Sequence, residues 1–429
     1  MFSKNPAPHF SPALKGCLIE FERTLLNQQA VIEKWFRQEW RKTPPPLYCS
    51  VDLRNAGFKL APVDTNLFPA GFNNLNPDFL PLAIQAAQNT LSNTYTDCVK
   101  LLIIPENHTR NTFYFESLAC LQAILMKAGY DVRIGSMSTE ITEAQTINLP
   151  SGNTIYLEPL KRVENYLSVE NYTPCLIILN HDLSDGIPSL LQGIQQPIIP
   201  SPELGWAKRL KSHHFKLYEQ VSTEFAQLID LDPWQINPLF DYCGNLNFLK
   251  REGEELLMQK TSDLLNKIAV KYKEYGITQK PFVIIKADSG TYGMGVMTIK
   301  DPNEIKQLNR KERTRMSSTK GNQDITQVLI QEGIYTFETV GKEHAVAEPV
   351  VYMMGCHVIG GFYRVHAGRD IDQNLNAPGM QFQPLAFSEN CNNPDHLKND
   401  CTQNRFYAYG VIARLALLAA AREAKLVEK

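Results

Sequence analysis

Lys286 closes an apolar run that begins at Pro281, and the loop after it carries Ser289, Gly290, Gly293 and Gly295 before a second apolar stretch, Val296 to Ile299, leaves at once. Glycines at such a tip let backbone N–H groups approach a polyphosphate with no side chain in the way, and the lysine adds a positive charge. No Gly-Lys-Ser/Thr follows, so the loop is not a Walker A sequence, and Val296 to Ile299 suits a strand better than the helix of a dinucleotide fingerprint. A flap over a nucleotide is left, with an ordinary glycine-rich hairpin as the plainer reading. Lys286 on the entering strand favours the flap.

Further on, the apolar run Val328 to Ile330 leads into Gln331, Glu332, Gly333 and Ile334. A linker between two lobes can read an adenine ring with one side chain and neighbouring backbone groups while apolar residues sandwich the ring. An edge strand ending in solvated polar residues has the same pattern. Arg364, in a second apolar hairpin, offers planar bidentate donors suited to a phosphoryl or carboxylate oxygen. Asn374 and Asn376 follow and suit hydrogen bonding around the same place. His357 and His366 read as structural. In the basic segment Trp206 to Lys216, Lys211 is a candidate second cation for the nucleotide, with Lys208 and Lys216 as rivals and a solvated helix face as the bland alternative.

These residues need elements to hold them. Leu18, Phe21, Leu25, Ile32, Phe36 and Trp40 fall at three- and four-residue steps among charges, which predicts one long amphipathic helix from Leu14 to Trp40, stopped by Thr43 and three prolines. A strand (47–53), a turn at Asn55 to Gly57 and a second strand (58–63) follow. From about 96 to 200, apolar strands at 99–105, 131–134, 154–157 and 175–179 alternate with a helix from Thr112 to Ala128, which predicts a mostly parallel sheet. The remainder, 201–429, opens with the basic helix 206–216. It adds a helix from Glu252 to Tyr275, strands near 282–287, 295–299, 327–332, 346–353 and 357–365, and a last helix from Phe406 to Leu426. The fold class expected is α/β in three units: 1–95, 96–200 and 201–429.

The chain of 429 residues has 43 Lys plus Arg against 45 Asp plus Glu, and this near-neutral balance disfavours nucleic acid or a membrane surface as the partner. A small-molecule substrate is expected. The nine cysteines are scattered, with no Cys-x-x-Cys pair and no His pair at zinc spacing, so they read as reduced thiols of a cytoplasmic protein. No stretch approaches the ~20 apolar residues that span a bilayer, and the first residues lack a signal peptide's apolar segment.

In order, Lys286 with its glycine loop, Gln331 to Ile334, Arg364 and Asn374 with Leu375 resemble the ATP-grasp superfamily of carboxylate-amine ligases. The whole chain is similar to the small proteobacterial type of glutamate-cysteine ligase, most clearly over 51–74 and 345–388. That resemblance implies an ATP-grasp fold with a Rossmann-like domain at 96–200. It implies ATP and Mg²⁺ as cofactors, and glutamate and cysteine as substrates joined through an acyl phosphate to γ-glutamylcysteine, the first step of glutathione synthesis. Ser289, Gly290, Gly293, Gly295, Gln331, Glu332, Ile334, Lys211 and Lys286 would hold the nucleotide, with Lys286 and Arg364 catalytic. Another carboxylate-amine ligase of the superfamily, or a non-catalytic nucleotide-binding regulator, is the alternative.

One departure stands out. The superfamily takes its metal ligands, an acid and then an acid-x-Asn pair, from strands after the helix matching Phe406 to Leu426, and here the chain ends at Lys429. The same pattern occurs near the start as Asp52, a turn, then Asp64-Thr65-Asn66, which suggests a circular permutation. Asp64 and Asn66 would share one face of a strand and offer hard oxygens to Mg²⁺, although Asp and Asn also commonly cap turns. Arg54 and Arg110 are candidates for the glutamate α-carboxylate, and Arg110 lies in the loop 106–111, where open parallel sheets bind ligands. The glycine flap and the basic loop 306–323 are candidate lids.

Overall fold

A computed structural model describes residues 10–11, 17–107, 111–290, 295–317, 324–341, 343–385 and 406–427. Apolar runs bounded by turn residues become strands, and the strands form three sheets. The first is antiparallel, with Leu60–Asn66, Tyr48–Asn55, Ala345–Met354, His357–His366 and Gln381–Pro384 side by side. Two-residue strands, Phe10–Ser11 and Thr339–Val340, extend it beside Ala345–Met354. The second sheet runs Ile198–Ile199, Leu176–Asn180, Lys100–Pro105, Asp131–Ser136 and Thr154–Val163, all parallel, with Gln145–Asn148 and Tyr166–Val169 added antiparallel. The third is a four-stranded antiparallel sheet, Phe240–Cys243, Val328–Glu332, Val283–Ala287 and Val296–Ile299, backed by the helix Glu254–Glu274.

The final helix, Phe406–Val427, is apolar nearly all round over 407–421, and that stretch is almost wholly buried. It lies against the strands Tyr48–Asn55 and Leu60–Asn66 and the helix Lys211–Leu228. Leu415, Leu417 and Leu418 are wholly buried there, each contributing about 1.5–3 kcal/mol from apolar burial. Residues from both ends of the chain therefore share one core.

Leu60–Asn66 is the edge of its sheet, and its outer carbonyls have no strand partner. Val63 drops out of register between Asp64, opposite Asp52, and Pro62, opposite Leu53, which makes a bulge. The Val63 carbonyl accepts a hydrogen bond from Lys286 Nζ at 2.6 Å, and that of Thr65 accepts one from Arg209 Nη1 at 2.7 Å. At the hairpin tip, Lys59 Nζ donates to Glu332 Oε2 at 2.6 Å and lies over the Trp234 ring. Three cations thus fasten the N-terminal hairpin to elements more than a hundred residues away.

Several expectations are corrected. Two helices, Cys17–Asn27 and Gln29–Lys42, replace the single long one, because Gln28 leaves helical geometry (φ −104°, ψ 14°) and its side-chain amide donates to the Ile229 carbonyl. The basic helix starts at Lys211, not Trp206. The Trp206 N–H donates to the Asp182 carbonyl and its own carbonyl accepts from Gly290, so its backbone belongs to two loops. The cysteines are not all free: Cys98 and Cys175 form a disulfide, 77 residues apart in sequence with Cα atoms 5.6 Å apart. Parallel pairing of Lys100–Pro105 with Leu176–Asn180 puts the two strand entrances side by side. Leu80–Thr94 is a helix that sequence reading did not anticipate.

Lys59 and Glu332 are both about 1 % exposed, so removing one partner strands the other's charge in the interior. Lys59→Met is expected to cost about 3–5 kcal/mol of stability in urea unfolding. The double variant Lys59→Met/Glu332→Met should recover most of that loss. A single variant as stable as the parent would show that the pair does not secure the hairpin.

Candidate active site

A crevice opens where the first and third sheets meet, and its walls carry Asp52, Arg54, Asp64, Lys211, Lys286, Gln331, Glu348, Arg364 and Asn374. Antiparallel pairing sets Asp64 directly opposite Asp52, and Glu348 directly opposite Arg364. Arg364 Nη1 donates to Asp52 Oδ2 at 3.0 Å and also to Glu348 Oε1. Arg54 donates from Nε to Glu348 Oε2 at 3.1 Å, and its two other nitrogens reach the carbonyls of Ile334 and Gln373. Glu348 therefore bridges two guanidinium groups on the crevice floor.

Charges on the opposite wall come from Lys211 and Lys286. Lys211 is the first residue of its helix, where Asp288 accepts hydrogen bonds from the Ser212 N–H at 2.7 Å and the Ser212 hydroxyl at 2.6 Å. A carboxylate capping a helix start suits the exposed N–H groups and the dipole there. Lys211 Nζ lies 3.6 Å from the Trp206 ring centre and donates to the Gly290 carbonyl at 2.7 Å. Lys208 instead pairs with Glu203 in solvent, and Lys216 is exposed.

Burial pushes the Lys211 ammonium down to about 8 against the pull of Asp64, with Lys286 and Arg209 adding to the fall. Lys286 is lowered as well, by burial, while Asp64 and Asp52 hold it up. At Asp64 burial opposes ionisation, yet Lys211, Lys286 and Arg209 outweigh it and keep the carboxyl below its ordinary range. Asp52 goes the other way: burial raises it, Arg364 opposes, and the neighbouring acids Glu348 and Asp64 add to the rise.

Two polar atoms in the crevice are buried without a hydrogen-bond partner among the described residues, Gln331 Nε2 and Arg364 Nε. A buried donor left unmade costs about 1–3 kcal/mol, so donors kept this way at a crevice suit a bound ligand. Two facing carboxylates beside buried lysines and orphaned donors fit the charges of a nucleotide triphosphate with a divalent cation.

Other expected residues sit differently. The Asn66 Oδ1 accepts from the Phe68 N–H at 2.9 Å and the residue is absent from the crevice walls, so its amide serves a turn. Glu332 and Ile334 both line the crevice, but the Glu332 carboxylate is committed to Lys59, Trp234 and the Leu239 N–H, and the Ile334 carbonyl to Arg54. Gly290 is on the wall with φ +88°, a left-handed conformation that favours glycine. Ser289 and Gly295 do not line the walls, though each adjoins in sequence a residue that does, Gly290 and Val296. At Gly295 an added Cβ would come within 2.7 Å of Ile325 Cδ1. Arg110, Gly293 and part of the 306–323 loop lie outside the described residues; within that loop Arg310–Arg315 is a helix. Sequence reading missed Glu348 and Asp288. The available signals were an acid within the apolar run 345–354 and an acid two residues past Lys286.

The sequence pattern of the glutamate-cysteine ligase family (GshA) matches residues 22–424. The crystal structure of a candidate gamma-glutamylcysteine synthetase from Methylobacillus flagellatus KT is similar, at 55 % identity and a TM-score of 0.91, over 98 % of this chain and 99 % of that one. D-alanyl-alanine synthetase A from Vibrio cholerae (12 % identity, TM-score 0.31, 63 % of this chain and 67 % of that one) is too distant to bear on the fold. So is a glutathione synthetase-like effector from Globodera pallida (10 %, TM-score 0.35, 81 % and 78 %). No curated protein matches the chain. The family match over nearly the whole length, joined to a solved relative of 55 % identity along nearly all of both chains, makes this chain a member of the glutamate-cysteine ligase family, an enzyme that forms γ-glutamylcysteine with ATP.

Proposed function

We propose that the crevice between the first and third sheets is where that reaction occurs, on an ATP-grasp core whose metal-ligand strands are circularly permuted to the N-terminus. The observation that carries the reading is the meeting of Asp52 and Asp64, from the N-terminal hairpin, with Lys211 and Lys286 around one crevice. Lys211 and Lys286 hold the phosphates, the Gly290 loop covers them, and Gln331 meets the adenine edge with its unpartnered amide nitrogen. Asp52 and Asp64 are the residues that would hold Mg²⁺, and Asn66 is left out because its oxygen is committed to Phe68. Bound there, the metal would supply neutralisation of phosphate charge.

Glutamate lies with its γ-carboxylate toward Arg364, whose Nε has no hydrogen-bond partner among the described residues and so keeps a donor for an anion, and Asn374 adds an amide at the same wall. Arg54 and, outside the described residues, Arg110 are candidates for its α-carboxylate. The γ-carboxylate oxygen attacks the γ-phosphorus and ADP departs, which gives γ-glutamyl phosphate. The cysteine amine then attacks the acyl carbon, phosphate leaves with the C–O bond pair, and the proton shed by the amine goes to that phosphate. Catalysis is positioning and charge neutralisation in a dry crevice, because water would hydrolyse the acyl phosphate. The need for ATP and free cysteine supports a cytoplasmic setting. Among the described residues, no helix is long and apolar enough to cross a membrane.

ADP release with glutamate plus cysteine should fall about 100-fold or more in Asp64→Asn, the scale seen when one charge-stabilising group is lost, with circular dichroism unchanged. A fully active Asp64→Asn enzyme would remove Asp64 from the reaction. The position of Lys211 at about 8 adds a pH signature: its charge is complete below that pH and is lost above it. kcat/KM for ATP, which reports the free enzyme, should therefore decline as pH rises through about 8, and Lys211→Arg should move the decline to higher pH. An unchanged decline in Lys211→Arg would assign it to another group.

A further inference from the structure

Behind Asp64 stands a buried polar cluster that neither the chemistry above nor any local sequence motif accounts for. Arg209 is 4 % exposed and grips the carboxylate of Glu423, from the final helix, with Nε at 3.0 and 3.1 Å and Nη2 at 2.9 Å. His214 stands beside both, its Nδ1 3.2 Å from Arg209 Nη2 and 3.3 Å from Glu423 Oε2. Two of the three reach Thr65, and Glu423 holds both of them: Arg209 Nη1 donates to the Thr65 carbonyl at 2.7 Å, and His214 Nε2 lies 2.9 Å from the Thr65 hydroxyl. The backbone N–H of Thr65, the next residue in the chain, lies beside the Asp64 carboxylate and adds to the pull of the three cations that keep it ionised.

The carbonyl and the hydroxyl of Thr65 are therefore both held by the cluster, which fixes the residue that directly follows Asp64. Thr65 lies on an edge strand next to a bulge, where backbone direction is least constrained by the ladder. Thr65 is 1 % exposed and its carbonyl needs one donor, which Arg209 alone supplies; the added His214 contact to the hydroxyl, backed by Glu423 from the far end of the chain, is more than that need. Charge-assisted bonds of this kind fix direction as well as position.

We propose that Arg209, His214 and Glu423 are positioning residues that aim the Asp64 carboxylate into the crevice through the Thr65 peptide. The inference rests on the reading of Asp64 as a metal-holding residue. It makes the final helix, which does not line the crevice, a determinant of how tightly the metal-nucleotide pair is held.

Thr65→Val removes only the hydroxyl that His214 holds and keeps the side chain's shape, while Thr65→Ser retains the hydroxyl. The probe is manganese(II) in the presence of ATP, its affinity read by electron paramagnetic resonance, with thermal melting and kcat/KM in parallel. Thr65→Val should weaken manganese binding about 10-fold, within the range for groups that orient a ligand, with melting nearly unchanged, and Thr65→Ser should restore it. Glu423→Gln should weaken it likewise; if that variant does not fold, the threonine pair decides alone. Parental manganese affinity in Thr65→Val, with or without lower melting, overturns the positioning role provided Asp64→Asn binds manganese weakly. Parental affinity in Asp64→Asn overturns the reading of Asp64 itself, and the positioning role with it.

Discussion

An edge strand with unsatisfied carbonyls is the constraint on which this structure turns. Leu60–Asn66 has a neighbour on one side only, and on the other the carbonyls of Val63 and Thr65 are taken by Lys286 and Arg209. Buried carbonyls must find donors. Here the donors are cations from elements far along the chain, so satisfying the backbone also delivers positive charge to the acids beside it. One arrangement closes the sheet edge, joins the two halves of the core and charges the crevice.

The crevice electrostatics follow from that arrangement. Lysines buried near two acids lose some of their hold on a proton, and Asp64, surrounded by three cations, stays ionised. Asp52 is crowded by Glu348 and Asp64 and is relieved only in part by Arg364. Such a set is imperfectly balanced without a ligand, and a triphosphate with a divalent cation supplies charges of both signs. The Glu348 bridge holds the Arg54 and Arg364 guanidinium groups at fixed positions on the crevice wall.

Much of this was legible in the chain. The apolar runs at 283–287, 296–299 and 328–332 form strands with nearly the expected limits, and the strands expected on either side of the turn at Asn55 to Gly57 pair so that Asp64 stands opposite Asp52. Period-two spacing, which put Asn66 on the same strand face as Asp64, could not show that the turn at Phe68 claims its side-chain oxygen, because turn chemistry competes locally with ligand duty. Glu332 looked like a ligand residue and is the buried partner of Lys59, 273 positions away. The Arg209–Glu423 pairing, 214 residues apart, and the Cys98–Cys175 bond leave no local pattern, since tertiary partners are chosen by topology and not by spacing. Lys211 could be separated from Lys208 and Lys216 only once the helix start was seen at Lys211.

The account stands on ATP and its metal occupying the crevice shared by the two ends of the chain. The most direct measurement is a crystal structure with a non-hydrolysable ATP analogue and manganese, located by its anomalous signal. The account predicts the metal peak at Asp52 and Asp64, with the phosphates against Lys211 and Lys286. A nucleotide bound elsewhere, for instance at the carboxyl ends of the parallel strands, or a metal held away from both acids, would contradict it.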